Sequence, residues 1–218
     1  MAVIASEAGL LRAKQVAAAD LFELRLDVLA PIADRLKQEI PAFKAPLIIT
    51  ARHPREGGAR GLNAARRAEL LLSFLNYAAY VDLELRAMRE LAAVRRQVRT
   101  KKVRLIISAH ELRDTPSLVR LRAKAIAAAE ADADIFKIVA RTDTAEQLDR
   151  LVRFFDAPHV DLPISAMGFG KFGRVARLEL AARGSVLNYV HLGQSQLRGQ
   201  FSLADWKRVV RHLHRPPR

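Results

Sequence analysis

Strand-like and helix-like segments alternate eight times along this chain, and this alternation limits its possible folds more than any other feature. Short apolar segments with a period of two are separated by longer runs with the period of a helix. The predicted strands are 2–6, 21–26, 46–51, 79–84, 103–109, 135–140, 160–166 and 186–191. The predicted helices are 9–19, 30–39, 64–76, 86–98, 117–130, 145–155, 175–182 and 203–213. Eight strand–helix units predict an α/β fold, the (β/α)8 TIM barrel.

The alternative fold is a doubly wound open sheet, but no Gly-x-Gly-x-x-Gly follows the first predicted strand to mark a dinucleotide site. The 218 residues contain no linker rich in proline, glycine or serine, so we expect a single domain over 1–218. Charges interrupt the apolar stretches well before they reach the length of a bilayer span. With no cysteine and no secretory signal pattern at the N-terminus, we expect a cytoplasmic protein.

Polar side chains gather toward the C-terminal ends of several predicted strands. Because side chains alternate between the two faces of a strand, these polar residues share the face opposite the apolar one. They are Glu23, Arg25, Thr50, Arg52, Asp82, Glu84, Ser108 and His110. If the strands are parallel and helices cover the apolar face, the charged face points into the barrel. Charges survive there only by pairing with one another or with a ligand, so the pattern predicts a polar site.

Lys137 interrupts the apolar run of the sixth predicted strand, between Phe136 and Ile138. We expect its amine to lie among apolar neighbours, where desolvation disfavours the ammonium form and makes the amine a candidate Schiff-base nucleophile. The structural alternatives are a lysine whose amine reaches out to solvent from a strand end, or one paired with a carboxylate.

The formal net charge is +14, from 37 basic and 23 acidic residues. The basic residues form two clusters: Arg95, Arg96, Arg99, Lys101, Lys102 and Arg104, and a tail of Lys207, Arg208, Arg211, His212, His214, Arg215 and Arg218. Such clusters could bind nucleic acid, could steer anionic substrates, or could simply form a solvated surface. Aromatic residues make up only 6% of the chain, which argues against stacking platforms for single strands, so we do not expect an obligatory nucleic-acid partner.

The polar strand ends, taken in order, resemble those of type I 3-dehydroquinate dehydratase, the Schiff-base dehydratase of the shikimate pathway. The segments that carry the resemblance are 23–27, 50–52 with 56–58, 82–85, 108–110 with 115–116, 133–138, 170–177 and 199–200. They extend through nearly the whole chain. The eighth loop departs from the family pattern, because Gln196 occupies the position of the usual serine and Ser195 lies beside it.

The resemblance implies a lyase that dehydrates 3-dehydroquinate to 3-dehydroshikimate without a cofactor. Lys137 would form an imine with the substrate ketone, and His110 would act as general acid and base. Glu56 would orient His110. The alternatives left open are a packed core histidine at 110 and a solvated loop acid at 56. We predict no metal site, since His53, His159, His191, His212 and His214 lack metal-ligand spacing with nearby acids.

For substrate binding, the resemblance implies that Arg177 holds the substrate carboxylate in a bidentate pair. Glu23, Arg25 and Arg52 would bind the ring hydroxyls, and Gln200 would close over the site. The alternatives are a surface arginine at 177 and a structural ion pair between Glu23 and Arg25. The resemblance also implies a possible homodimer. Two other functions compete with the dehydratase: a class I Schiff-base aldolase on the same barrel, and a basic nucleic-acid-binding protein.

Overall fold

Eight parallel strands form one sheet in the computed structural model, which describes residues 1–16, 19–157 and 160–213. The strands are β1 (Ala2–Ile4), β2 (Phe22–Arg25), β3 (Leu47–Thr50), β4 (Tyr80–Glu84), β5 (Arg104–Glu111), β6 (Ile135–Arg141), β7 (Ile164–Phe169) and β8 (Val190–His191). Their spatial order is β7-β6-β5-β4-β3-β2-β1-β8. The segment before β8 completes the ring, since the amide of Val186 donates to the carbonyl of Ile164 at 3.2 Å. The predicted (β/α)8 barrel is confirmed.

Helices follow the strands around the outside of the barrel. They are α1 (Glu7–Gln15), α2 (Leu26–Leu29), α3 (Ala33–Glu39), α4 (Ala64–Phe74), α5 (Ala92–Thr100), α6 (Leu118–Glu130), α7 (Ala145–Asp156), α8 (Gly173–Ala182) and α9 (Leu203–Leu213). Side chains cap several N-termini: Thr144 and Gln147 form a reciprocal capping box on α7, and Ser117 accepts from an amide of α6. Within the described ranges, no helix combines the length and apolar character needed to cross a bilayer.

Apolar side chains form two layers, one on each face of the sheet. The larger layer lies between the strands and the helices and includes Leu24, Ile49 and Phe136. The smaller layer lies inside the barrel and includes Ile48, Ile106 and Val139. Strand alternation explains both layers, since neighbouring residues of one strand serve opposite faces. The inner layer packs beneath and beside the charged residues.

Several element boundaries differ from the prediction. The seventh strand, predicted over 160–166, is observed as Ile164–Phe169, because Pro163 lies at its start and the apolar run continues past Ala166. The helix predicted over 86–98 begins only at Ala92, after a short 3-10 turn over Leu85–Ala87. The eighth strand shrinks to two residues. The prediction for 9–19 crosses residues 17 and 18, which lie outside the described ranges, as do His159 and His214.

Candidate active site

The register of the sheet brings the polar residues of four strands to two neighbouring levels of the barrel. Lys137 on β6 lies level with Ser108 on β5, which in turn lies level with Glu84 on β4. Asp82, also on β4, lies level with Thr50 on β3. All five residues are buried, and their side chains lie on the polar face of their strands. Because the strands are parallel, their carboxyl ends meet in one polar centre, as the pattern predicted.

Lys137 is 3% exposed, and its amine is held by charged groups. The Nζ atom donates to Oδ2 of Asp82 at 2.8 Å and lies 3.6 Å from Oε1 of Glu23. It also lies 4.0 Å from the ring centroid of Tyr189, a cation–π contact. The expectation that apolar neighbours surround this amine is wrong. The same strand alternation that makes Phe136 and Ile138 core residues turns Lys137 to the polar interior, where carboxylates compensate its charge.

Arg52 is the centre of the inner network. Its guanidinium donates to Asp82 at 3.0 Å, to Glu84 at 3.1 Å and to Ser108 at 2.9 Å. Its Nη2 atom lies 3.8 Å from Glu23. These partners occupy most of its donors, so the geometry assigns Arg52 to holding the carboxylates in position. The predicted role in binding ring hydroxyls remains a prediction.

The charges inside the network balance. Three carboxylates, those of Glu23, Asp82 and Glu84, face the cations Arg52 and Lys137 and a further cation from α4. That cation is Arg67, which is almost fully buried and pairs with the second oxygen of Glu84. A buried network whose charges are paired holds its members in one geometry. The floor of the site is therefore preorganised.

Glu56 and His110 form a hydrogen-bonded pair beside this network. Oε2 of Glu56 contacts Nδ1 of His110 at 2.9 Å and accepts from the His110 backbone amide at 3.0 Å. A tight turn brings the carboxylate there: Gly57 adopts a left-handed φ of 84°, and a Cβ at Gly58 would lie 2.1 Å from the carbonyl oxygen of Arg52. The glycine pair is thus required by the turn. Only one ring nitrogen, Nε2, remains for other chemistry.

The environment shifts the pKa values of both Glu56 and His110. Burial, and next the charge of Glu84, raises the pKa of Glu56 to about 7. Burial, and next the charges of Arg52 and Lys137, lowers the pKa of His110 well below its usual value. Neutral imidazole is therefore the favoured form of His110. When Glu56 is ionised, it accepts a hydrogen bond from Nδ1–H of His110, which leaves the Nε2 lone pair free.

Arg177 on α8 is 4% exposed, and within the described ranges it has no carboxylate partner. Its Nη1 atom donates to the carbonyl oxygen of Tyr189 at 2.9 Å and lies 3.8 Å from the sulfur of Met167. Burial lowers its pKa to about 10, which still leaves it a cation at neutral pH. The surface-arginine alternative is thus excluded by burial. A buried cation without a counter-charge favours an anionic ligand.

The eight residues predicted for the site line a single cavity of about 130 Å³. They are Glu23, Arg25, Arg52, Glu56, His110, Lys137, Arg177 and Gln200. Arg25 is also bound to Asp27 through two hydrogen bonds of 2.9 and 2.7 Å, so its charge is compensated locally. Gln200 accepts from the amide of Gln196 at 2.9 Å, and Gln196 itself lines the cavity. The departure in the eighth loop therefore lies on the cavity wall.

The sequence reasoning missed the apolar wall of the cavity. Val3, Leu112, Val139, Met167, Tyr189 and Leu197 complete the lining. Tyr189 matters most, because its ring contacts the amine of Lys137. A signal was available, since Tyr189 lies within the eighth predicted strand, 186–191. Within the described residues, no group of three or more His, Asp or Glu side chains has metal-binding geometry, and the absence of a metal remains a prediction.

A (β/α)8 barrel with a buried lysine, histidine and carboxylate at the carboxyl ends of its strands defines the class: a TIM-barrel enzyme. The type I 3-dehydroquinase family model matches residues 4–217. The chain therefore belongs to the type I 3-dehydroquinase family.

Curated and solved relatives agree with this assignment. The 3-dehydroquinate dehydratase of Aromatoleum aromaticum is 30% identical over an alignment of 228 positions, which covers 96% of this chain and 86% of the relative. That of Methanothermobacter thermautotrophicus is 29% identical over 202 residues, covering 90% and 86%. The crystal structure of 3-dehydroquinate dehydratase from Geobacillus kaustophilus superposes with a TM-score of 0.90 at 26% identity, covering 100% of this chain and 91% of that one.

Proposed function

We propose that this enzyme dehydrates 3-dehydroquinate to 3-dehydroshikimate through a Schiff base on Lys137, with His110 as general acid and base. The single observation that carries the proposal is that Lys137, the His110–Glu56 pair and the unpaired Arg177 all line one small cavity. An amine, a base and an anion site together suit a keto acid with an acidic α-proton. The direct test is absorbance from the conjugated enone carboxylate that forms when 3-dehydroquinate is added.

In this mechanism the Lys137 ammonium loses a proton, the neutral amine attacks the substrate ketone, and return of a proton with loss of water gives a protonated imine. The imine withdraws electrons from the neighbouring carbon and makes its proton acidic. His110 removes that proton through Nε2 and returns it to the departing hydroxyl, so the elimination releases one water. Hydrolysis of the imine restores Lys137. Asp82 and Glu23 hold the amine at the cavity floor throughout, and we assign them a positioning role.

The pH dependence of kcat/KM follows from the His110–Glu56 pair. When Glu56 is protonated, it donates to Nδ1, and the remaining imidazole proton then lies on Nε2, so the base is lost. Because the pKa of Glu56 is about 7, kcat/KM should fall by about tenfold per pH unit below about pH 7. The apparent value belongs to the pair. In Glu56→Gln the fall should begin at lower pH, since only His110 then titrates. An acid limb unchanged by this substitution would contradict the assignment.

Replacement of Arg177 should weaken substrate binding. Arg177→Gln removes the charge-assisted contact with the substrate carboxylate, worth ~1.5–3 kcal/mol, so we expect kcat/KM to fall by about tenfold to a hundredfold, mainly through KM. The kcat/KM of Arg177→Lys should lie between those of the parent and Arg177→Gln, because lysine keeps the charge without the bidentate geometry. Arg174→Gln on the exposed face of the same helix is the control. Equal effects at both positions, measured by steady-state kinetics, would reject the carboxylate site.

Neither competing function fits as well. A class I aldolase would share Lys137, but the match to the dehydratase family over residues 4–217 favours the dehydratase. Nucleic-acid binding would depend on the basic clusters, and nothing in the cavity supports it. The homodimer and the single-domain organisation remain predictions, and the mass of the protein in solution tests the first of them.

A further inference from the structure

A second cavity lies on the outer side of the His110–Glu56 pair. It has a volume of about 730 Å³. We call it the outer groove and define it by its lining: Arg55, Glu56, Leu85, Arg86, Ala109, His110, Glu111, Leu112, Arg113 and Lys124. Glu56, His110 and Leu112 also line the substrate cavity, so these three residues form a shared wall. The proposed reaction uses the inner side of that wall and leaves the groove without a role.

The outer groove carries an excess of positive charge. Its lining contains four cations, Arg55, Arg86, Arg113 and Lys124, and two acids, Glu56 and Glu111. Lys124 is compensated by Glu111 at 2.9 Å. Within the described ranges, neither Arg55 nor Arg113 has a carboxylate within ion-pair distance. Two guanidinium groups are therefore free to bind an anion that enters the groove.

Arg86 connects the groove to the catalytic pair. Its Nε atom lies 3.8 Å from Oε1 of Glu56, while Oε2 of the same carboxylate holds His110. The other charged groups that face the pair do not line the groove, so an anion there would not touch them. Glu56 faces the charges of Arg52 and Glu84. His110 faces the charges of Arg52, Lys137, Asp82 and Arg25. Arg86 is thus the contact through which occupancy of the groove would reach Glu56.

We propose that the outer groove binds a small divalent oxyanion, and that the bound anion draws Arg86 away from Glu56 and so slows the adjacent reaction. This regulatory part rests on the proposed function, whereas the binding part does not. The ligand class follows from the lining: guanidinium groups with paired donors recognise phosphate-like or polycarboxylate groups. Loss of the Arg86 contact favours protonated Glu56, because a nearby cation stabilises the carboxylate. Inhibition of the reaction by the bound anion should therefore be strongest below about pH 7, where Glu56 is protonated most readily.

Sulfate is the probe, because its charge does not change over the pH range of the assay. Binding is measured by calorimetric titration and by the rise in Tm, with sodium chloride of equal ionic strength as reference. We expect saturable binding to the parent protein and its loss in Arg55→Gln/Arg113→Gln. Arg96→Gln/Lys101→Gln removes two exposed positive charges elsewhere and should bind like the parent. Arg177→Gln should also bind, since it alters only the substrate cavity.

Two outcomes would overturn the binding site: equal sulfate response in all variants, or loss of binding in Arg177→Gln alone, which would assign the sulfate to the substrate cavity. Kinetics test the coupling separately. Saturating sulfate should lower kcat/KM by about threefold at pH 6.5, the size of one exposed ion pair, and much less at pH 8.5. Sulfate that binds in the groove without this pH-dependent loss would overturn the coupling. If neither the parent protein nor any variant dehydrates 3-dehydroquinate, the proposed function fails, while the result on sulfate binding still stands.

Discussion

Replacement of Lys137 by methionine is expected to abolish both turnover and covalent trapping of the substrate. In the parent protein, borohydride reduction with 3-dehydroquinate should leave a stable secondary amine on Lys137, because the imine is reduced before it can hydrolyse. Methionine fills a similar volume but has no nucleophile. Without the covalent path, kcat should fall below detection, and mass spectrometry should find no adduct after reduction.

The variant should still fold, which keeps this result interpretable. Asp82 loses one partner in Lys137→Met but keeps Arg52 and Ser108. Circular dichroism and Tm would verify folding. Lys101→Met, at the opposite end of the barrel just after α5, is the matched control and should trap substrate normally. Turnover in Lys137→Met close to that of the parent protein would end the Schiff-base mechanism, and an adduct mapped to another lysine would move the nucleophile.

The fold was predictable because its main signals are local. Strand alternation assigned Glu23, Arg52 and Asp82 to the barrel interior without knowledge of any contact, and each is found there. Element ends were less predictable. The run before Ile164 has strand-like composition, yet Pro163 cannot donate to a ladder and the strand starts after it. Pairing partners, register and burial decide such ends, and these depend on the folded chain.

The site was predictable as a set of residues but not as a set of contacts. The eight candidate residues converge on the cavity because their strands and loops meet at the carboxyl ends of the barrel. No pattern in the chain indicates that Asp82 holds the amine of Lys137, or that the donors of Arg52 are taken up by carboxylates. It also missed the ring of Tyr189. Those facts depend on rotamers and on distances between strands far apart in sequence.

Replacement of His110 by asparagine is expected to separate the two halves of the proposed mechanism. Asparagine can still donate to Glu56, so the turn that carries Glu56 should persist, but it cannot accept and return a proton. Loss of general acid–base catalysis should lower kcat by about 10²- to 10⁴-fold.

Borohydride should nevertheless still trap 3-dehydroquinate on Lys137 in His110→Asn, because the nucleophile is intact. The control is His53→Asn, a nearby histidine whose Nδ1 accepts from the amide of Arg55 at 3.0 Å and which does not line the substrate cavity. It should keep kcat within about threefold of the parent, the usual range of surface substitutions. If His110→Asn behaves like this control, the proton is moved by another group. If His110→Asn fails to trap substrate at all, His110 is needed for the imine itself, and its role begins one step earlier than the elimination.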